Sequence, residues 1–350
     1  MSKINRKRIR VTPYLIATLV VTLSFFLGIS LGSVTIPLNE ISKVISHHLL
    51  SGGPTPSEAT YDSIVWDVRL PRVTLAFLVG SALSMAGAAF QGLLRNPLAD
   101  PYTLGISSGS ALGAVLVIYF AWQLPLLGAF TLPLIAIAAG FITMLLVLFF
   151  ARLVQRNMAM ETIILTGIIF SSFLGSLLSL TVALSGDELR QIITWLMGSV
   201  SMRGWTYVSL ILPFFILGSI LLMFNTQELN LLTFGEETAQ QLGVHTQRRK
   251  LLIMIAASIM TGAAVAVAGT IGFVGLVIPH MVRLIWGADH RQLLPLSALF
   301  GGSFLILADL LARTIISPRT LPVGVITALI GAPVFAYILY RHRTKGGRQG

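Results

Sequence analysis

Acidic and basic residues lie close together in one polar segment, 232–250, between two long apolar runs. The segment holds the adjacent acids Glu236 and Glu237, then Gly243, and then three consecutive bases at 248–250. This pattern predicts a short helix followed by a glycine turn, and the segment is too polar to lie within lipid. Its acids and bases can form ion pairs, so we expect a surface that another protein binds.

The motifs of several other chemistries are missing from the sequence. None of the five lysines follows a glycine, so the phosphate-binding loop GxxxxGKS/T of ATP hydrolysis is absent. There is no cysteine, which excludes disulfides, zinc–thiolate sites and iron–sulfur clusters. The pair His47-His48 is typical of a solvated loop, and the six histidines form no HExxH motif. The sequence therefore predicts no catalytic residue, no metal site and no cofactor in this chain.

The composition predicts that membrane-spanning helices position these residues. Of the 350 residues, 55% are hydrophobic and 11% are charged, against about 25% charged in soluble domains. The run from Val11 to about Val34 can cross roughly 30 Å of hydrocarbon and lacks a clear cleavage site. We therefore predict an all-α, polytopic membrane protein with one domain over 1–350 and about ten transmembrane helices. The predicted spans are approximately 11–34, 65–90, 102–120, 129–150, 160–184, 205–224, 251–270, 272–287, 293–315 and 322–340.

The charge distribution predicts which side of the membrane each loop faces. The net charge is +11, yet no compact basic domain of the kind that binds nucleic acid is present. With the N-terminus inside, most of the 24 lysines and arginines fall on cytoplasmic loops and helix ends, as the positive-inside rule requires. We therefore predict that both termini are cytoplasmic, with a basic N-terminus at 1–10 and a basic tail at 341–350. The segment 232–250 lies on the same side.

Few ionisable residues fall within the predicted spans. Asp309 and Arg313, at a spacing of four, are expected to form an ion pair near the outer end of their helix. Glu161 and Arg283 lie near predicted cytoplasmic ends. An ion-coupled secondary transporter acting without an ATPase would place such groups in mid-membrane. That alternative function is therefore disfavoured, although the residues alone leave it open.

Polar and small residues on two segments are candidates for a translocation path or gate. Along the helix 160–184, four hydroxyl side chains lie near one face, and the segment 188–203 carries Trp195 and Met197. A face that only packs against other helices explains the same pattern equally well. The candidates are Thr166, Ser171, Ser172, Ser176, Trp195 and Met197.

Motifs that follow one another from about residue 12 to residue 340 resemble a single family. The motifs are Arg69-Leu-Pro-Arg72, the run from Gly87 to Gly105 with Asn96-Pro-Leu-Ala-Asp-Pro101, Gly272-Phe-Val-Gly-Leu-Val-Ile-Pro-His280 with Arg283, Asp289-His-Arg291, Ala308-Asp309 with Arg313, and Leu321-Pro-Val-Gly324 with Gly331-Ala-Pro333. On these motifs the chain resembles the permeases of iron-chelate and vitamin B12 ABC importers, the FecCD or BtuC type.

The resemblance implies a function and a set of partners. It implies the type II ABC importer permease fold and inward transport of an iron-siderophore, haem or cobalamin-type chelate by ATP-driven alternating access. The implied partners are two cytoplasmic ABC ATPases, which bind ATP and magnesium, an extracytoplasmic binding protein, the lipid bilayer, and a second permease copy or close paralogue. The implied location is the bacterial cytoplasmic membrane, and neither the chelate nor the choice between homodimer and heterodimer follows from the motifs.

The resemblance also implies roles for individual residues. The part of the polar segment that matches the family's coupling helices, Thr233–Gln247, is expected to sit in a cleft of the ATPase. Arginines at the opposite end are expected to meet acidic residues of the binding protein. The coupling residues implied are Phe234, Gly235, Glu236, Glu237, Ala239, Leu242 and Gly243, and the docking residues implied are Arg69, Arg72 and Arg313.

Overall fold

The structure is a computed structural model that describes residues 11–32, 34–50, 59–156 and 158–346. The predicted basic N-terminus 1–10 and the last four residues of the predicted tail lie outside these ranges. Within the described ranges every regular element is a helix, which confirms the all-α prediction.

Seven helical stretches are long and apolar enough to cross a membrane, and three shorter apolar helices accompany them among the described residues. The ten together agree with the predicted number of spans. The long stretches are α1 (Thr12–Ser30), a continuous stretch Thr60–Leu93, a stretch Gly128–Val154 that contains α6 (Thr131–Val154), α7 (Met160–Leu184), α9 (Gly204–Phe224), α12 (Thr246–Ala268) and α14 (His290–Thr314). The shorter ones are α5 (Ile106–Tyr119), α13 (Val274–Trp286) and the apolar part Val323–Ile338 of α15 (Val323–Gly346).

The stretch Thr60–Leu93 has three parts, because α3 (Ala59–Asp62) leads into a π-helical turn, Ser63–Arg69, and then into α4 (Leu70–Leu93). Pro71 stands in the first turn of α4, directly after the π-helical turn, and has no N–H to donate to that turn. Short helices that do not span connect the rest. They are α2 (Leu38–Leu49), α8 (Leu189–Leu196), α10 (Thr226–Leu232) and α11 (Glu236–Gln241).

Helix α4 lies at the centre of the bundle and packs against α14, α12 and α13. Most of its residues are buried, whereas most of α7 is not. Two glycines allow this close packing. A Cβ atom on Gly80 would lie 2.9 Å from the Gly301 carbonyl carbon of α14, and one on Gly87 would lie 2.6 Å from the Gly275 carbonyl carbon of α13. Small residues therefore bring these backbones into contact, as is common between membrane helices.

One interruption of a helix lies deep among the packed helices. Helix α12 ends at Ala268 and α13 begins at Val274, so residues 269–273 leave backbone groups without helical partners. The Tyr102 hydroxyl donates a hydrogen bond to the Ile271 carbonyl oxygen (2.8 Å) and accepts one from the Ile271 N–H (3.2 Å). The Thr270 hydroxyl donates to the Leu196 carbonyl at the end of α8. Protein groups thus satisfy both backbone groups of Ile271, as non-helical chain at membrane depth requires.

Candidate functional site

The predicted coupling segment contains the short helix α11 and the start of α12, at one end of the bundle. Gly235, at the start of α11, has φ 114°, and Gly243, just beyond its end, has φ 87°. These left-handed values favour glycine because a Cβ atom would be strained there. Ala239 is fully buried, whereas the Phe234 and Leu242 side chains are 73% and 61% exposed. A short helix that exposes large apolar residues beside charged ones has the character of a surface that a partner covers.

The two acids of α11 have different surroundings. The Glu236 carboxylate lies 2.7 Å from the Lys250 ammonium, which also donates to the Met158 carbonyl oxygen at 3.1 Å. Lys250 is only 2% exposed, so this pair joins α11 firmly to the start of α12. Glu237 is exposed. Of the two acids, Glu237 is therefore the one that α11 presents to solvent.

A second ion pair attaches α10 to the same part of α12. The Arg249 guanidinium lies 3.2 Å from the Glu228 carboxylate and donates to the Asn225 side-chain oxygen at 2.9 Å. Two of the three consecutive bases are thus used within the chain, and Arg248 remains exposed. The sequence pattern indicated charges on a surface helix but not which acid each base binds.

A groove of about 380 Å³ lies beside α11. Its walls come from α11, from the start of α7 and from the connection 94–105 that follows α4. That connection is held by Asp100, whose carboxylate accepts from the Tyr102 N–H at 2.9 Å. Burial raises the pKa of the Asp100 carboxyl to about 6, and this hydrogen bond opposes the rise. The groove is lined by Arg95, Ala159, Met160, Glu161, Phe234, Gly235, Glu236, Glu237 and Thr238.

The three predicted docking arginines come together at the opposite end of the bundle. Asp309, beside them on α14, is nineteen residues beyond His290, which is about 28 Å along a helix. All three arginines line one cavity of about 250 Å³. Arg69 donates to the Ile29 carbonyl (2.6 Å) and the Ser30 carbonyl (2.9 Å) of α1, and Arg313 donates to the Gly28 carbonyl. Cations are favourable at this position because the last carbonyls of a helix lack partners and carry partial negative charge.

Arg72 forms the shortest ion pair of this cluster. Its Nη2 lies 2.8 Å from Asp309 Oδ1 and its Nε 2.9 Å from Asp309 Oδ2, which is a two-pronged contact. The predicted pair of Asp309 with Arg313 is present but longer, at 3.8 Å. Two guanidinium groups therefore share one carboxylate while Arg69 binds carbonyls, and the cluster carries an excess of positive charge. The Arg72 contact could not be read from spacing, because the two residues lie 237 positions apart.

The candidate path residues do not share one environment. On α7, Thr166 is buried and donates to the Thr162 carbonyl, whereas Ser172 and Ser176 are exposed. Ser171 has a buried hydroxyl with no hydrogen-bond partner in the part of the chain that the structure describes. Trp195, at the end of α8, is almost fully buried.

Met197 alone among the candidates lines a large open cavity. This apolar cavity of about 460 Å³ lies between the end of α8, the interruption after α12 and the start of α15. The Met197 residue is 38% exposed there. The other lining residues are Leu196, Thr270, Gly324, Val325, Ala328 and Leu329.

Comparison with known proteins defines the class to which this fold and these sites belong. The FecCD transport family matches residues 19–341. The chain is 56% identical over 347 residues to the "Uncharacterized ABC transporter permease protein YvrB" of Bacillus subtilis, covering 99% of this chain and 98% of that one. It is 44% identical over 287 residues to the cobalamin import system permease protein BtuC of Halobacterium salinarum, covering 80% and 74%.

A solved structure agrees with the sequence matches. An inward-facing metal-chelate type ABC transporter superposes with a TM-score of 0.82 at 31% identity, covering 95% of this chain and 100% of that one. The molecule is therefore a membrane-spanning ABC transporter permease, which is not itself an enzyme. The chain belongs to the FecCD transport family, and the predicted family and permease fold are confirmed.

Proposed function

We propose that this chain is the permease subunit of a binding-protein-dependent ABC importer in the bacterial cytoplasmic membrane, and that it moves a metal chelate inward. The match of the FecCD family to residues 19–341 carries the proposal. A relative named for cobalamin import and a structure described as metal-chelate type support this class of substrate. The candidates are iron-siderophore, haem and cobalamin-type chelates.

Two cytoplasmic ATPases that bind ATP and magnesium supply the energy in this proposal. The exposed face of α11, with Phe234, Glu237 and Leu242, supports docking there, because it combines apolar area with a free carboxylate. Closure of the ATPases would move α11 and change access to the path between the two ends of the membrane.

A second permease copy or a close paralogue completes the path in this proposal. Much of α7 is exposed, and the cavity beside Met197 is open on the surface of the single chain. A partner subunit that covers this side would close the cavity into a path lined by both chains. Thr166 and Trp195 then serve packing, since both are buried within one chain.

An acidic surface of the binding protein docks on the arginine cluster in this proposal. The excess positive charge of Arg69, Arg72 and Arg313 around one cavity supports it. We predict that the double variant Arg69→Gln/Arg72→Gln lowers binding-protein affinity about tenfold at low salt and less at high salt, since screening weakens charge pairs. The double change removes two positive charges from the cluster and leaves Arg313 beside Asp309, so the buried carboxylate keeps a cationic partner.

The matched control for this prediction is Arg190→Gln, which removes an exposed arginine in the first turn of α8. Affinity is measured by surface plasmon resonance on permease in lipid nanodiscs at two salt concentrations. Equal affinities of the double variant and the unmodified chain at low salt would contradict docking on this cluster.

Uptake into proteoliposomes tests the proposed function. The permease is reconstituted with its ATPase and binding protein and supplied separately with a ferric hydroxamate siderophore, haemin and cyanocobalamin. We expect uptake of one of these probes only when Mg–ATP is enclosed with the ATPase. Uptake by the permease alone, driven by a proton or sodium gradient, would instead establish an ion-coupled secondary transporter.

A further inference from the structure

Asn230 on α10 forms a hydrogen-bonded junction with the first turn of α14. Its side-chain oxygen accepts from the His290 backbone N–H (2.9 Å) and from His290 Nδ1 (2.8 Å). Its side-chain nitrogen donates to Asp289 Oδ1 at 2.7 Å. The backbone N–H of His290 can only donate a hydrogen bond, so the amide oxygen of Asn230 must face His290 and the amide nitrogen must face Asp289. All the hydrogen bonds of this amide to Asp289 and His290 therefore depend on one another.

The same junction reaches the end of α4. His290 is 1% exposed, and its ring lies against Gly92, where an added Cβ atom would come within 2.8 Å of the His290 Cε1 atom. Asp289 also caps α14 by accepting from the Arg291 N–H at 3.0 Å. Asn230 thus joins α10 to α14 at the point where α14 packs on the central helix α4.

The other contacts of the coupling segment leave little freedom at α10. The pair of Glu236 with Lys250 holds α11 on α12, and the pair of Glu228 with Arg249 holds α10 on α12. Asn230 lies between these two acids in the chain and adds a hydrogen-bonded attachment to α14. A displacement of α11 would therefore be passed to the first turn of α14 through Asn230.

We propose that Asn230 is a positioning residue for transport, which makes α10, α11 and the first turn of α14 move as one unit. This inference rests on the proposed docking of an ATPase on α11. Without the Asn230 hydrogen bonds, α10 would act as a hinge, and movement of α11 would no longer be passed directly to the first turn of α14. ATP would then be hydrolysed with little change in access to the translocation path.

The variants Asn230→Asp and Asn230→Asp/Asp289→Asn test this inference. The single change places two carboxylates together and removes the donor between them. The double change exchanges donor and acceptor, so that the amide of residue 289 donates to the carboxylate of residue 230 while the His290 N–H keeps its acceptor. We expect the single variant to lower stimulation of ATP hydrolysis by the binding protein about tenfold, the usual scale for a charge-assisted hydrogen bond. The double variant should restore it.

A distance measurement reports the junction directly. The chain has no cysteine, so spin labels can be attached through Gln241→Cys on α11 and Arg291→Cys on α14 without a background. We expect one narrow label–label distance in the unmodified junction, both without nucleotide and with Mg–ATP and vanadate. Asn230→Asp should broaden the distribution at least twofold, and the double variant should narrow it again.

The inference is overturned if the distance distribution is the same in the Asn230→Asp variant and the unmodified junction. It is also overturned if the distance in the unmodified junction changes when nucleotide binds. Failure of the proposed function would look different, because no ATPase would then co-purify with the unmodified chain. In that case the labelled permease without nucleotide still tests whether Asn230 holds α11 on α14.

Discussion

Gly87→Ala is expected to destabilise the permease severely. The added Cβ atom would lie 2.6 Å from the Gly275 carbonyl carbon and 2.7 Å from its Cα, and it would overlap the carbonyl oxygen. All three are backbone atoms of α13, so no side chain can rotate away. Helices α4 and α13 would have to separate at the centre of the bundle. Overpacking of this kind costs about 1–3 kcal/mol, sometimes more, of a total stability of about 5–15 kcal/mol.

Thermal unfolding of detergent-purified protein, followed by size-exclusion chromatography after heating, measures the effect. We expect the midpoint for Gly87→Ala to fall by several degrees and the yield of monodisperse protein to fall with it. The matched control is Gly175→Ala on α7, where nothing lies within 4 Å of the added Cβ atom. Equal midpoints for the two variants would contradict the close packing of α4 on α13.

Glu237→Arg is expected to abolish ATP-driven uptake while leaving the permease folded in the membrane. Glu237 is exposed on α11, and its neighbour Glu236 is already paired with Lys250. Reversal of this one charge therefore changes the surface offered to an ATPase without breaking an ion pair seen within the chain. Like charges placed across such an interface cost several kcal/mol, so we expect at least a tenfold loss of ATPase binding.

Co-purification of the ATPase with tagged permease, together with uptake into proteoliposomes, measures this loss. Asp187→Arg is the matched control, because it reverses an exposed acid between α7 and α8 at the opposite end of the bundle. Normal co-purification and uptake in the Glu237→Arg variant would rule out a coupling role for this face of α11.

The long spans could be predicted from the sequence because apolar runs of this length are stable only as helices that cross the membrane. Helices α6, α7 and α9 begin and end close to the predicted residues. The span predicted at 102–120 begins later, at Ile106, because Pro101–Leu104 forms a 3₁₀ turn capped by Asp100. That cap is a local hydrogen bond, and the number of apolar residues in a segment does not reveal it.

The candidate sites were predictable only in part. Glycine turns on either side of α11 follow from the sequence, because Gly235 and Gly243 stand beside a short charged stretch. The partners of Lys250 and Arg72 do not follow from the sequence, because each contact joins residues that only the folded chain brings together. For the same reason the hydroxyl residues of α7, which share a helical spacing, are divided between buried and exposed positions.

The hydrogen bond from Arg313 to the Gly28 carbonyl, near the end of α1, also has a consequence for biosynthesis. Helix α1 is the first of these spans to be made, yet Arg313, which binds its Gly28 carbonyl, follows 285 residues later. At about 5–20 residues per second, that interval lasts roughly 15–60 s. The Gly28 carbonyl therefore has no hydrogen bond from Arg313 while most of the chain is still being made. Truncated chains that stop before α14 should leave this end open to protease, and completion of α14 should protect it.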